Sequence, residues 1–283
     1  MLIYPEIGMD PVAIRLAAQR LAPVQSSSWG HPVTSGFPTL DYYLTSDAME
    51  AEDGDASYTE TLVRLPHLGI YYEAAALPDV ALTRADIGLD EAALVFWCGQ
   101  SLFKYLPEFD DVFPRIAAES GHCQFIFIEY EPGSYVTQVF RERLDAAFAK
   151  FGLDPARYCV FVPRMSQARF TKLFTLCDVI LDSIGWSGGQ TTLESMSSNV
   201  PIVSMPGRLM RSRHTAAMLH LMGVSDTVAA TLEEYVAIAA RLANDAAWRR
   251  DMSSRIAEGK HRLFRDRAAI RGLEAFLERV AHA

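Results

Sequence analysis

The chain has 283 residues, half of them hydrophobic, which is enough apolar matter for a large core and suits two lobes or one large α/β unit. A formal net charge of -9 speaks against a general nucleic-acid binder, which needs a basic face to displace counterions from phosphates. Apolar runs such as "ALVFWC" and "CQFIFI" are far shorter than the roughly 20 residues that cross a bilayer, so no membrane partner is expected. The start, "MLIYPEIGMDP", has neither a basic n-region nor a small-residue cleavage site, and cytoplasm is the expected location. A short strand (Leu2 to Ile7), a helix (Asp10 to Arg20) and a strand around Pro23 to Trp29 come first. "GHPVTSGFPTLD" then reads as loop and "DAMEAEDGDASYTE" as an acidic surface connection. Within it, Asp53 and Asp55 make an Asp-x-Asp pair, but no strand leads into it and a solvated turn explains it equally well. No metal site is expected.

From Leu82 the pattern becomes a regular alternation. Strands are predicted in "ALVFWCGQ", "CQFIFIEY", "YCVFVPRM", "DVILDS" and "PIVSM", with helices at Tyr105 to Ser120, Tyr135 to Phe151, "QARFTKLFTLC" and Thr191 to Ser198 between them. Such βαβ units imply a parallel sheet covered on both faces. Helices at Arg213 to Met222, Leu232 to Asn244 and Trp248 to Val280 close the chain. The composition shift divides it into 1–80 and 81–283. Cys98, Cys123, Cys159 and Cys177 stand singly in or beside apolar stretches, without ligand spacing, and read as buried thiols.

In an open parallel sheet, ligands bind beyond the carboxyl ends of the strands, and the turn Ser183 to Gln190 occupies that position. Gly185, Gly188 and Gly189 allow a ligand close to the main chain, and the helix starting near Thr191 offers free N–H groups suited to phosphate. The string is neither a Walker loop nor a dinucleotide fingerprint. Thr191-x-x-Glu194 is equally a capping box, so a purely structural turn stays open. Lys104, after the first strand of the alternation, and Arg164, after the third, are cations that a sheet wound in this way would bring to the same crevice.

At this point the chain resembles the catalytic region of glycosyltransferase family 41, which includes the O-linked N-acetylglucosamine transferases and the SPINDLY-type enzymes. "LAPVQSSSWGHPVTSGFPTLDYYLTSD" is similar to the family's R-P-A-P-[VI]-Q, W-x-G-Y-P-x-T-[ST]-G, D-Y and T-D series, and "LVRLP" follows it. "CDVILDSIGWSGGQTTLESMSSNVPIVSMPGRLMRSRHTAAMLHLMGV" is similar to the donor-site segment, with its M-P-G and S-R pairings. The resemblance implies an α/β fold of the GT-B type, its second Rossmann-like lobe nearly complete and its first reduced to a closing third.

It also implies roles. Lys104 matches the lysine on the donor diphosphate and is the candidate catalytic residue, stabilising the leaving group. Gly188, Gly189, Gln190, Thr191 and Thr192 fall at the diphosphate, Glu194 at the ribose, and Arg164 and Arg213 complete the donor set. Gly30, His31 and Pro32 fall in the sugar-facing loop. The implied reaction is metal-independent, inverting transfer from a nucleotide sugar, UDP-N-acetylglucosamine or similar, to a Ser or Thr hydroxyl of a protein acceptor, with no cofactor. Gln167 and Phe170 depart from the family's basic residue and base-stacking histidine, and its histidine-rich amino-terminal segment has no counterpart. A catalytically idle donor-binding module, or a fragment of a longer enzyme, is the alternative. A partner or a further segment is expected to cover the reduced first lobe.

Overall fold

The structure is a computed structural model that describes residues 1–131 and 134–281. β1 (Leu2–Tyr4), β2 (Gln25–Ser28), β3 (Tyr42–Ser46) and β4 (Thr61–Leu65) lie side by side in chain order, every pair parallel. β1 stops short of the predicted Ile7 because the chain turns at Pro5, which has no N–H to give to a ladder. α1 (Pro11–Ala17) starts where its sequence says it should: Asp10 accepts the Ala13 N–H at 2.6 Å and proline fills the first helical position. Leu2 and Ile3 on β1, and Val12 and Leu16 on α1, keep between 37% and 59% of their surface exposed.

The second sheet contains β5 (Leu94–Cys98), β6 (Cys123–Ile128), β7 (Cys159–Val162), β8 (Val179–Leu181) and β9 (Ile202–Val203), all parallel, in the order β7-β6-β5-β8-β9. Its helices are α2 (Val112–Ser120), α3 (Tyr135–Lys150), α4 (Gln167–Leu173), α5 (Gln190–Ser195), α6 (His214–Met222), α7 (Leu232–Asn244) and α8 (Ala246–Gly259). Helices on both faces explain the unbroken apolar strands: Val95, Phe96, Trp97 and Cys98 of β5 are at most 1% exposed. The chain winds outward from β5 through β6 to β7, then returns to the other side of β5 for β8. That reversal opens a crevice between β5 and β8.

Two helices differ most from expectation. α2 begins at Val112 rather than Tyr105, because Pro107 opens a separate 3-10 turn and the Tyr105 hydroxyl is held by the Cys98 carbonyl under the strand end. The predicted helix Trp248 to Val280 is broken: after a 3-10 turn at Lys260–Leu263, Arg265 takes φ 56° and gives its N–H to the Tyr72 carbonyl at 3.0 Å. Asp266 then accepts the Ala268 N–H at 2.9 Å at the start of α9 (Arg267–Ala281). α9 lies on the first sheet, where Phe276 is 3% exposed among Leu44, Leu65 and the edge of the Tyr42 ring. The final helix, grouped by sequence with the second unit, thus packs on the first.

The four cysteines are free thiols; burial pushes all of them up, Cys123 to about 12. No described helix is long and apolar enough to cross a membrane.

Candidate functional site

The carboxyl ends of β5, β6, β7 and β8 open on one cleft of about 490 Å³. Gln100 and Lys104 enter it after β5, Glu129 and Tyr130 after β6, Arg164, Gln167 and Phe170 after β7, and Gln190, Thr191 and Glu194 from α5 after β8. Lys104, Arg164, Gln190, Thr191 and Glu194 are thereby brought together, as their places in the winding predict.

The turn before α5 is built on Asp182, the residue that follows β8. Its carboxylate, 6% exposed, accepts the Gly188 N–H at 2.8 Å and the Ser187 and Ser204 hydroxyls at 2.7 and 2.8 Å. Burial raises the proton affinity of this carboxyl, and the same three donors oppose the rise. The Thr192 hydroxyl, on α5, donates back to the Gly188 carbonyl at 3.0 Å and meets the Thr215 hydroxyl at 2.9 Å. Gly188 has no room for a side chain, since a Cβ there would lie 2.6 Å from the Thr192 hydroxyl and 2.7 Å from the Gln100 amide.

The capping box does not form. Gly189, with φ -97° and ψ -92°, is the cap residue, no side chain caps the helix, and α5 opens at Gln190 instead of Thr191. Glu194, 7% exposed, accepts from the Gln190 and Gln167 amides at 2.8 and 3.0 Å rather than reaching back to the helix start. The N–H groups of Gly189, Gln190 and Thr191 therefore find no acceptor among the described residues. In a helix of only six residues these free donors matter more than any macrodipole.

Lys104 is half-buried, its Nζ donating to the Gln100 side-chain Oε1 at 3.1 Å and standing 6.0 Å from the centre of the Trp186 ring. Burial lowers its proton affinity and the nearby Asp182 opposes that. Arg164 is exposed at the cleft wall. Arg213 stands elsewhere: its Nε donates to the Met49 carbonyl and a terminal N–H to the Gly207 carbonyl, both at 3.0 Å, so it ties the first lobe to the second. Two residues before it, Arg211 has its guanidinium 5.1 Å from the Trp186 ring centre.

Gly30, His31 and Pro32 follow β2 and meet the second lobe at Trp186, 5.7 Å from the His31 ring. Their loop is held by Glu60, which accepts the Thr34 hydroxyl at 2.7 Å and the Ser35 N–H at 2.9 Å. His31 is pushed below its ordinary value by burial, then by the charges of Arg211 and Lys104. Behind the turn, His214 is 3% exposed, its ring 5.4 Å from that of Trp29. Burial, with Lys104 adding to it, lowers its value to about 4; the Ser187 carbonyl is near, yet neither ring nitrogen has a hydrogen-bond partner. Asp182, Trp186, Arg211 and His214 were missed in the sequence. Only Asp182 carries a signal there, as an acid directly after an apolar strand. Asp53 and Asp55 face Arg208 and Arg64 at 3.8 and 2.8 Å, as an acidic surface turn should.

Residues 73–269 match the model of Glycosyl transferase family 41. The chain belongs to that family. Among curated relatives it is similar to the probable UDP-N-acetylglucosamine–peptide N-acetylglucosaminyltransferase SPINDLY of Solanum lycopersicum, 28% identical over 228 residues, which cover 81% of this chain and 24% of the relative. The family-41 chain thus spans about a quarter of the length of the SPINDLY relatives it matches. A mutant O-GlcNAc transferase of Thermobaculum terrenum superposes with a TM-score of 0.82 at 24% identity, over 98% of this chain and 52% of that one. Sucrose-phosphate synthase from Thermosynechococcus elongatus gives 0.60 at 14% identity, over 86% and 59%. The fold is the GT-B glycosyltransferase fold.

Proposed function

We propose that this family-41 chain binds a nucleotide sugar in the β5–β8 cleft and transfers the sugar, with inversion, to a Ser or Thr hydroxyl of a protein. The observation that carries the reading is the meeting of Lys104, Arg164 and three unengaged N–H groups at the start of α5, with the carboxylate of Glu194 one turn deeper. Cations and N–H groups suit a diphosphate, and a carboxylate suits the paired hydroxyls of a ribose. The family's relatives are named for UDP-N-acetylglucosamine and peptide, which makes that donor the first to test.

In the transfer, the acceptor hydroxyl oxygen bonds to the anomeric carbon and releases its proton to solvent as the bond to the β-phosphate oxygen breaks, and negative charge collects on the departing diphosphate. Lys104 and the N–H groups of Gly189 to Thr191 stabilise that charge, so a metal ion is not needed for it. The half-buried position of Lys104 strengthens the effect, because less water screens it. The exposed apolar residues Leu2, Ile3, Val12 and Leu16 of the first lobe are available to a covering partner or segment.

The test is incubation of the full chain with UDP-N-acetylglucosamine, or another nucleotide sugar, and Ser/Thr peptides, following nucleoside diphosphate release and peptide mass. Lys104→Met should lower turnover about a hundredfold. Transfer that survives this substitution unchanged would contradict the role, and binding without transfer would indicate a donor-binding module.

A further inference from the structure

Every guanidinium that lies within 3 Å of a carboxylate in this chain is spent on it; Arg143, for one, gives both Asp110 oxygens an N–H, at 2.8 and 2.6 Å. Arg211 is different. Among the described residues its guanidinium makes no hydrogen bond and no ion pair, and its Nε is buried without an acceptor. A buried donor left unpaired costs stability, and a positive group half out of water asks for a counter-charge. Among the described residues none supplies one: Asp182, whose charge acts on Lys104, is occupied by Gly188, Ser187 and Ser204.

The place of Arg211 narrows what the missing anion is. Its carbonyl accepts the Ser187 N–H at 2.8 Å, so the 3-10 turn Met210–Ser212 is fastened to the glycine-rich turn that presents the free N–H groups. Arg211 and Lys104 share one indole, at 5.1 and 6.0 Å from the Trp186 centre. Lys104 also lines the cleft, together with Phe170 and Glu194, whereas His31 faces Trp186 from the first lobe. Trp186 therefore has Lys104 from the cleft, Arg211 and the His31 ring all about it, which sets Arg211 between the cleft lysine and the loop of His31. Resting on the donor reading above, we propose that Arg211 is a further cation for the diphosphate beside Lys104 and Arg164, taking the β-phosphate, the end from which the sugar departs. A planar guanidinium can grip two phosphate oxygens at once and can keep its hold as charge builds on the leaving group.

The measurement is calorimetric titration of the full chain with UMP and UDP, and with GMP and GDP, for wild type, Arg211→Ala, Arg211→Lys and Arg208→Ala. Arg208 is an exposed arginine three positions away and controls for loss of one positive charge. Arg211→Ala should weaken the diphosphate by roughly tenfold to a hundredfold and leave the monophosphate within about twofold. Arg211→Lys should restore part of the loss, having the charge without the fork, and Arg208→Ala should change neither nucleotide. Equal weakening of mono- and diphosphate, or no weakening of the diphosphate, overturns the proposal. A wild type that binds neither nucleotide overturns the donor reading beneath it instead. Should the alanine variant prove unfolded by its melting curve, the lysine variant decides: an unchanged ratio of diphosphate to monophosphate affinity then counts against a forked contact.

Discussion

Gly188 and Gly189 are adjacent and chemically identical, yet their sites differ sharply. A Cβ on Gly188 would strike the Thr192 hydroxyl and the Gln100 amide, whereas one on Gly189 would meet nothing nearer than 3.7 Å. Gly188→Ala should cost about 1–3 kcal/mol from overpacking and loosen the Asp182 contact that shapes the turn. Gly189→Ala should cost on the order of 1 kcal/mol, from its backbone angles and its cap position. Urea midpoints and nucleotide affinity check both; equal effects would mean the turn is not packed as described. His214 gives a prediction in pH. Its folded value is about 4 against an ordinary 6.5, so between those limits the unfolded chain takes up a proton that the folded chain refuses. The stability this represents, about 3 kcal/mol at most, is complete above pH 6.5 and is lost as pH falls toward 4. His214→Leu should flatten the stability curve in that window relative to wild type, and an unaltered slope would show that another group titrates there.

At the scale of elements, α9 is the informative case. The segment from Trp248 to Val280 has no proline, and its helical pattern continues through Phe264, Arg265 and Asp266. The break is made by tertiary contacts, the Arg265 N–H on the Tyr72 carbonyl and the Asp266 cap, which no local pattern shows. The β5 to β9 strands were legible because a strand buried on both faces must be apolar throughout. Strand ends and helix starts were less so, as at α2, where Pro107 and the Tyr105 hydroxyl delay the helix. If α9 is held to the first sheet mainly by Phe276, then Phe276→Ala should cost about 3–5 kcal/mol. Amide exchange should quicken in α9 and β4 while β5 and β8 keep their protection; uniform loss across both sheets would contradict that assignment.

For the molecule as a whole, the winding of the second sheet determines the site. Once β8 follows β7 back across β5, residues scattered from Gln100 to Glu194 must share one crevice, which is why Lys104, Arg164, Thr191 and Glu194 could be paired from their places after strands. Arg211 and Arg213 could not be told apart that way. They sit two residues apart in a tight turn, and only the packing of the first lobe, through the Met49 carbonyl, decides that Arg213 becomes a clamp between lobes. Trp186 and His214 owe their importance to the same seam. The most direct test of this account is amide hydrogen exchange on the full chain with and without saturating UDP or GDP. Protection should rise at residues 99–104, at 164–170 and above all at Gly189, Gln190 and Thr191, and the rise should vanish in Lys104→Met. Protection confined to other segments, or unaffected by that substitution, would mean the β5–β8 cleft is not where this chain holds a nucleotide.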